Sequence, residues 1–158
     1  MELNNEKQSE GFVNFGRAYQ EKVVQAMVED KDFAEQMVEV VDVDFFDQKY
    51  LRATASSYFE YYKKYNAFPS RQMLKSILFN EVDKDSDVIL VEQIKEFFLK
   101  IKKEPLGGDE KYVKESALEF CKKQKLKNAL FDCVDLIKNS KYDDIAGTIK
   151  KALELGAQ

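Results

Sequence analysis

The carboxylates are the side chains in this chain best suited to chemistry, because it has no histidine and only two cysteines. Without histidine, the usual general base near pH 7 and the commonest metal ligand are missing. Asp83, Asp85 and Asp87 alternate like the first ligands of a calcium loop. That loop also needs glycine at its sixth position and an acidic residue at its twelfth, where this chain has Val88 and Ile94. We therefore expect no metal ligands and no catalytic residues here.

The pair Gly107-Gly108 precedes a predicted helix, and a helix N-terminus can hold an anion. The phosphate-loop pattern G-x-x-x-x-G-K-[ST] occurs nowhere in the chain. The two glycines are therefore predicted to form a linker turn, and we expect no cofactor in this part of the protein.

One basic cluster could contact phosphate or an acidic protein surface. It consists of Lys122, Lys123, Lys125 and Lys127. These four lysines wrap around a helix rather than lining one face, and Glu115, Glu119 and Asp132 are available as neighbours near i,i+4 spacing. A solvated helix surface is the simpler interpretation, and the phosphate or acidic-partner contact remains the alternative.

Composition and periodicity predict an all-α fold. The chain has only 6 glycines and 2 prolines among 158 residues, too few for the many turns of a β-sandwich or barrel. Apolar residues recur at three- and four-residue spacing from Phe15 onward, which predicts about seven helices and no strand. The apolar run 40–46 is read as a turn, since a lone strand would have no partner.

Several polar residues and one proline are candidates for the helix starts. Asp30 and Asp32 are predicted to cap the second helix, and Asp44 or Asp47 the third. Pro69 suits the first turn of the fourth helix. Ser86 is the predicted cap of the fifth, and Asp143 or Asp144 of the last.

The third predicted helix carries four tyrosines within eight residues: Tyr58, Tyr61, Tyr62 and Tyr65. Their rings can pack in the core with the hydroxyls at its rim. Alternatively, they form an exposed aromatic ridge that anchors a partner.

Residues 109 to about 139 contain no glycine or proline, which predicts one helix of roughly 45 Å. A short break at 139–141 and a last helix closed by Gly156 complete an antiparallel helical hairpin. We therefore predict a flexible tail at 1–14, a globular helical head at 15–104 and the hairpin at 105–158, together one domain. The apolar stripe of the hairpin is the predicted interface and consists of Tyr112, Phe120, Leu130, Phe131, Val134, Ile137, Ile145 and Ile149.

The two cysteines, Cys121 and Cys133, form no CxxC pair and are predicted to point inward in a reducing compartment. The polar N-terminus does not resemble a signal peptide, and no apolar run approaches the roughly 20 residues that cross a bilayer. We expect a cytoplasmic protein, in a bacterium or an infected host cell, with no membrane partner.

The order of elements resembles the N-terminal domain of DnaB-type replicative helicases, especially the versions carried by tailed phages. The resemblance rests on an opening helix at 19–28 followed by Asp30-Lys31-Asp32-Phe33. Val43-Asp44-Phe45-Phe46 is similar to the family's D-F-aromatic turn, and it precedes the aromatic helix around Tyr58–Tyr62. Phe68-Pro69-Ser70 with Leu74, and the hairpin from Tyr112 to Leu153, complete the set. Where the family often has an arginine on the long helix, this chain has Lys125 or Lys127 nearby.

This resemblance implies a non-catalytic collar domain of a hexameric, ATP-dependent DNA helicase that acts in DNA replication within the primosome. Such domains pair through their hairpins into a trimer of dimers and contact primase. ATP and magnesium would belong to a RecA-like motor domain in the parent protein, which would be the hydrolase. DNA would be bound weakly, or only through the full-length ring.

Two other functions remain open from the residues. One is a stand-alone helical adaptor, such as a helicase-loader-like protein that acts on another machine. The other is a nucleic-acid-binding module that uses the lysines from Lys122 to Lys127.

Overall fold

Seven α-helices and three short 3₁₀ turns make up the described part of the chain. The computed structural model describes residues 11–83, 85–139 and 141–156. The helices are α1 (Arg17–Glu29), α2 (Lys31–Val38), α3 (Lys49–Tyr65), α4 (Arg71–Glu81), α5 (Val88–Lys103), α6 (Glu110–Lys138) and α7 (Tyr142–Gly156). The 3₁₀ turns are Val13–Phe15, Val43–Phe45 and Gly107–Asp109. The all-α prediction is confirmed, and these residues contain no strand.

The core of the head forms around α1 and α3. Helix α1 packs against α2, α3 and α6, and α3 also packs against α4 and α5. The largest fully buried side chains include Phe12, Phe46, Tyr50, Tyr58 and Phe97. Aromatic rings of this size provide most of the apolar area that a small helical head can remove from water.

Two buried glutamines of α1 satisfy backbone groups of the surrounding loops. The Gln20 side-chain amide donates to the Phe12 carbonyl at 3.3 Å, and its oxygen accepts from the Asp47 amide at 3.0 Å. Gln25 donates to the Glu104 carbonyl at 2.7 Å. Since an unpaired buried polar group costs free energy, these bonds fix the positions of three connections around α1.

The tail predicted for residues 1–14 is wrong at its end, while residues 1–10 lie outside the described residues. Phe12 is fully buried, and its amide donates to the Phe45 carbonyl at 2.7 Å. A Cβ added to Gly11 would lie 2.6 Å from the Phe45 carbonyl oxygen, so the backbone approach needs glycine at this position. The predicted opening helix also starts later, at Arg17, because Phe15 lies in the first 3₁₀ turn.

Asp30 caps α2 as predicted, but four other predicted starts are wrong. Helix α3 begins after Gln48, not at Asp44 or Asp47. Ser70 caps α4 through its hydroxyl, which accepts from the Met73 amide, so Pro69 precedes the helix instead of lying in its first turn.

The other two errors are shifts of one or two residues. Asp87 rather than Ser86 caps α5, with its carboxylate accepting from the Leu90 amide at 3.2 Å. Helix α7 starts at Tyr142, so Asp143 and Asp144 lie within its first turn.

The inner half of α6 is part of the head. Val113, Ala117 and Cys121, each four residues apart, are buried in the same hydrophobic core as α1 and α3. The remainder of α6 packs mainly against α7. We call residues 122–139 and 141–156 the outer hairpin. The head and the hairpin therefore share one core at the base of α6.

Candidate functional site

The outer hairpin exposes several large apolar side chains. Leu130 is 53% exposed, Ile137 55% and Leu153 59%, and Leu126 and Ile149 are exposed as well. Beyond Cys121, the buried residues among those described are Gln124, Cys133 and Ala152. One helix pair cannot cover apolar side chains on its outer faces, so these residues remain in contact with solvent in a single chain.

These exposed side chains lie on the same side of the hairpin. With about 100° of rotation per residue, Leu130 and Ile137 lie about 40–60° to one side of the buried Cys133. On α7, Ile149 and Leu153 lie about 60–100° to the same rotational side of the buried Ala152. The two helices contact each other, with the Cys133 sulfur at the Ile145 carbonyl oxygen, and they follow one another across a short connection. They therefore run antiparallel, and these offsets bring both pairs to one face. We call this face the hairpin strip; it consists of Leu130, Ile137, Ile149 and Leu153.

The predicted interface residues Tyr112 and Phe120 do not join the hairpin strip. Tyr112 is 61% exposed at the base of α6, about 27 Å along the helix from Leu130. The Phe120 ring is half-buried at 5.2 Å from the Phe12 centroid and 5.5 Å from the Phe15 centroid. These rings therefore belong to an aromatic cluster of the head.

The other predicted interface residues are half-buried within the hairpin. Val134 lies next to the hairpin strip, about 100° from Cys133 on the same side. Ile145 lies close to the α6–α7 contact. Phe131 lies about 160° from Cys133 and so occupies the opposite side of α6. Of the eight predicted residues, the structure therefore brings Leu130, Ile137 and Ile149 together as an exposed face.

The predicted lysine cluster is distributed around α6. Lys123 forms an i,i+4 ion pair with Glu119 at 3.2 Å, and both side chains are largely exposed, so the pair adds little stability. Lys125 faces a cavity of about 350 Å³ between α3 and α6, which Lys63 also lines. Lys122 and Lys127 are half-buried. The lysines do not form one continuous basic face.

The base of α6 is attached to the head by polar contacts. Lys114 donates to Asp30 at 2.7 Å and to Glu110 at 2.6 Å. The Asp30 carboxylate also accepts from the amides of Asp32 and Phe33, at 3.0 and 3.2 Å. Hydrogen bonding to Lys114 is the main cause that lowers the pKa of Asp30, and its bonds to Asp30 and Glu110 raise the pKa of Lys114.

Two further contacts attach the same end of α6. The hydroxyls of Tyr19 and Ser116 are 2.7 Å apart, and burial raises the pKa of the Tyr19 phenol. Lys22 pairs with Asp109, which precedes α6. The inner half of α6 is thus fixed to α1 by ion pairs and hydrogen bonds in addition to the core.

Asp83, Asp85 and Asp87 serve local structure. The Asp83 carboxylate accepts from the amides of Asp85 and Ser86, at 3.0 and 3.3 Å. Asp87 caps α5 and accepts from Lys49 at 2.8 Å. Within the described ranges, no group of three or more His, Cys, Asp or Glu side chains is arranged to hold a metal ion.

Both cysteines point inward, as predicted. Burial strongly raises the pKa of the Cys121 thiol, which lies in the head core. The Cys133 sulfur lies 4.0 Å from the Ile145 carbonyl oxygen, between the two helices of the hairpin. A thiol that stays protonated in an apolar site is a poor nucleophile, so Cys121 acts as a packing residue.

The four tyrosines of α3 divide between the two predicted alternatives. Tyr58 is buried, and its hydroxyl donates to the Met27 carbonyl at 2.8 Å and accepts from Lys31 at 3.1 Å. Tyr61 and Tyr62 are half-buried, while Tyr65 is 56% exposed.

Sequence reasoning missed a groove between α3 and α4. The groove has a volume of about 430 Å³, and we call it the α3–α4 groove. It is lined by Ser57, Glu60, Tyr61, Lys64, Tyr65, Met73, Ile77 and Glu81. The tyrosine spacing indicates the α3 wall. The opposing wall shows only the short apolar pattern of α4, which is typical of core residues.

The membrane prediction concerns helix length and hydropathy. Among the described residues, no helix is both long and apolar enough to cross a bilayer.

Comparisons with protein-family models, with curated proteins and with solved structures found no match to this chain.

Proposed function

We propose that this chain is a non-catalytic collar domain of a hexameric, ATP-dependent replicative DNA helicase, and that the hairpin strip is the surface through which its copies associate. In this proposal the parent protein carries ATP and magnesium in a separate motor domain. The collar contacts primase and works in the cytoplasm of a bacterium or an infected cell.

The observation that carries the proposal is the hairpin strip itself. Leu130, Ile137, Ile149 and Leu153 present apolar surface from two helices on one face, beyond the reach of the head core. Contiguous exposed apolar surface of this kind usually marks an interaction site. A second hairpin laid against this face would complete a four-helix arrangement, in which each strip covers the other.

Self-association provides the direct test, with a matched control. Leu130 and Leu99 are both leucines, both on helices and both 53% exposed, but Leu99 lies on α5 in the head. We expect the wild-type mass in sedimentation equilibrium to rise with protein concentration. Leu130→Ser should shift this rise to at least about tenfold higher concentration, equal to about 1.4 kcal/mol, and Leu99→Ser should leave it unchanged.

Two results would argue against this assignment. A wild-type chain that remains monomeric at high concentration would mean that the hairpin strip does not mediate self-association. Equal effects of Leu130→Ser and Leu99→Ser would mean that association does not use it. Circular dichroism of both variants establishes that each is folded before their masses are compared.

The helicase part of the proposal is tested separately from self-association. The gene should encode, after residue 158, a domain that contains G-x-x-x-x-G-K-[ST], the phosphate loop of an ATP-driven motor. Primase from the same source should bind the chain in a titration. An adaptor without a motor would associate with its target but lack this downstream sequence.

A further inference from the structure

The α3–α4 groove has the form of a seat for one more helix. Helices α3 and α4 run antiparallel, since Ser57 near the middle of α3 bonds Glu81 at the end of α4 at 2.6 Å. Tyr65 at the end of α3 and Met73 near the start of α4 line the other end. The groove therefore follows the direction of both helices.

The side chains on each wall of the groove are spaced as helix packing requires. Tyr61 and Tyr65 lie on α3, and Met73 and Ile77 on α4, each pair four residues apart. Side chains at this spacing are about 6 Å apart along a helix. A third helix can insert its own row of residues four apart between the two rows, as in ordinary helix packing.

The groove exposes residue types that are common in binding surfaces. Tyr65 is 56% exposed and Met73 is 52% exposed, and they lie on opposing walls. The Tyr61 and Tyr65 ring centroids are 4.6 Å apart, so the two rings support each other. Tyrosine is enriched among residues that dominate binding energy, and methionine adapts to varied apolar partners.

Charges at the two ends give the groove a direction. Glu60 and Glu81 lie at the Ser57 end, while Lys64 lies beside Tyr65 at the other end, with its ammonium 5.3 Å from the Tyr65 ring centroid. The N-terminus of a bound helix carries partial positive charge and its C-terminus partial negative charge. The favoured orientation therefore places the N-terminal half of the occupant beside Glu60 and Glu81.

We propose that the α3–α4 groove binds one amphipathic helix of another protein in a fixed direction, with a basic residue beside Glu60 and Glu81 and an acidic residue beside Lys64. The two carboxylates argue against a nucleic acid, since they outnumber the single lysine and would repel phosphate. No residue of the groove belongs to the hairpin strip, so this site is independent of the self-association proposed above.

Two fluorescent peptides of roughly 18 residues test the proposal, since shorter helices are marginal in water. Both carry leucine at alternating three- and four-residue spacing. The first has lysine in its N-terminal half and glutamate in its C-terminal half, each within about 6 Å of the middle of the helix, and the second has the same composition with these positions exchanged. We expect fluorescence anisotropy to give at least about tenfold tighter binding of the first peptide, or about 1.4 kcal/mol.

Variants of the intact chain locate the binding site. Tyr65→Ala and Met73→Ala should each lower the affinity for the first peptide about fivefold or more, which is the loss typical of an important interface residue. Tyr112→Ala is the matched control, because Tyr112 is 61% exposed and lies outside the groove. Glu60→Lys should abolish or reverse the preference between the two peptides.

Four results would overturn the proposal. They are the absence of binding, equal affinity for both peptides, equal effects of Tyr65→Ala and Tyr112→Ala, and displacement of the peptide by oligothymidylate at low salt. A fifth contrary result, loss of self-association in Tyr65→Ala, would identify a second copy as the occupant. Leu130→Ser should leave peptide binding unchanged, so this site and the hairpin strip can fail separately.

Discussion

The head and the outer hairpin differ in how they bury apolar side chains. In the head, rings such as Phe12, Tyr50 and Phe97 are almost completely removed from water; Phe12 packs against Phe46, and Tyr50 packs against Phe97. In the outer hairpin, two helices contact each other along one line, and Leu130, Ile137 and Leu153 remain more than half exposed. The head therefore has an extended core of its own, whereas the outer hairpin buries apolar surface only along the contact between its two helices.

The largest difference should appear when one large side chain is truncated in the head. Phe97 is 1% exposed and packs 5.9 Å from Tyr50 and 5.8 Å from Phe98, measured between ring centroids. Phe97→Ala should lower the free energy of unfolding by about 3–5 kcal/mol, because it leaves a cavity. Urea denaturation measures this loss, and Leu99→Ala, at an exposed site on the same helix, should change stability by less than about 1 kcal/mol.

A smaller effect should come from the start of the described chain. Gly11→Ala places a methyl group against the Phe45 carbonyl oxygen, at a site where the backbone cannot easily move away. We expect a loss of about 1–3 kcal/mol, as for other overpacked sites. Gly108→Ala is the control, because a Cβ there meets no atom within 4 Å. Equal stability of the two variants would mean that residues 11–12 are not part of the head.

Asp30→Ala should lower stability by about 0.5–2 kcal/mol at pH 7, because it removes the cap of α2 and the partner of Lys114. The pKa of Asp30 is lowered by Lys114, so its contribution is present above the ordinary carboxyl value of about 3.9 and is lost as the pH falls through the folded-state pKa. Urea midpoints of wild type and Asp30→Ala should therefore converge at the acid end of a pH series, whereas Glu35→Ala, an exposed carboxylate of α2, should match wild type throughout.

The smallest effect should come from the outer hairpin of a dilute, monomeric chain. Leu130→Ala should change the free energy of unfolding by less than about 1 kcal/mol, because Leu130 is already 53% exposed. Hydrogen exchange should sharpen the result, with faster exchange at amides of α7 than of α3. A loss as large as that of Phe97→Ala would erase the distinction between the two regions.

Sequence periodicity predicted the long helix well, because 29 residues without glycine or proline leave few alternatives. It predicted the helix starts poorly. At Asp42, Asp44 and Asp47 the chain offers three possible caps, and the structure uses Asp42 to accept from the Asp44 amide while the Asp47 amide binds Gln20. The contact between Asp47 and Gln20 joins residues 27 positions apart, and local patterns do not contain such contacts.

The candidate surfaces could be predicted only in part for a similar reason. The apolar periodicity of the hairpin indicated an interface but could not separate Tyr112, which lies at the head, from Leu130, which lies on the hairpin strip. The residues of the α3–α4 groove could not be paired, since Tyr65 and Met73 belong to different helices. Their opposition results from the turn at Asn66, where the backbone is left-handed with φ of +55°.

The continuity of α6 has a mechanical consequence. Its inner half is held by Val113, Ala117 and Cys121 in the head core and by Lys114 at Asp30, while its outer half extends beyond that core. No break separates the two halves, and the whole helix is about 43 Å long. A force applied to the tip of the hairpin would therefore be transmitted through α6 to α1 and α2, which pack against its inner half.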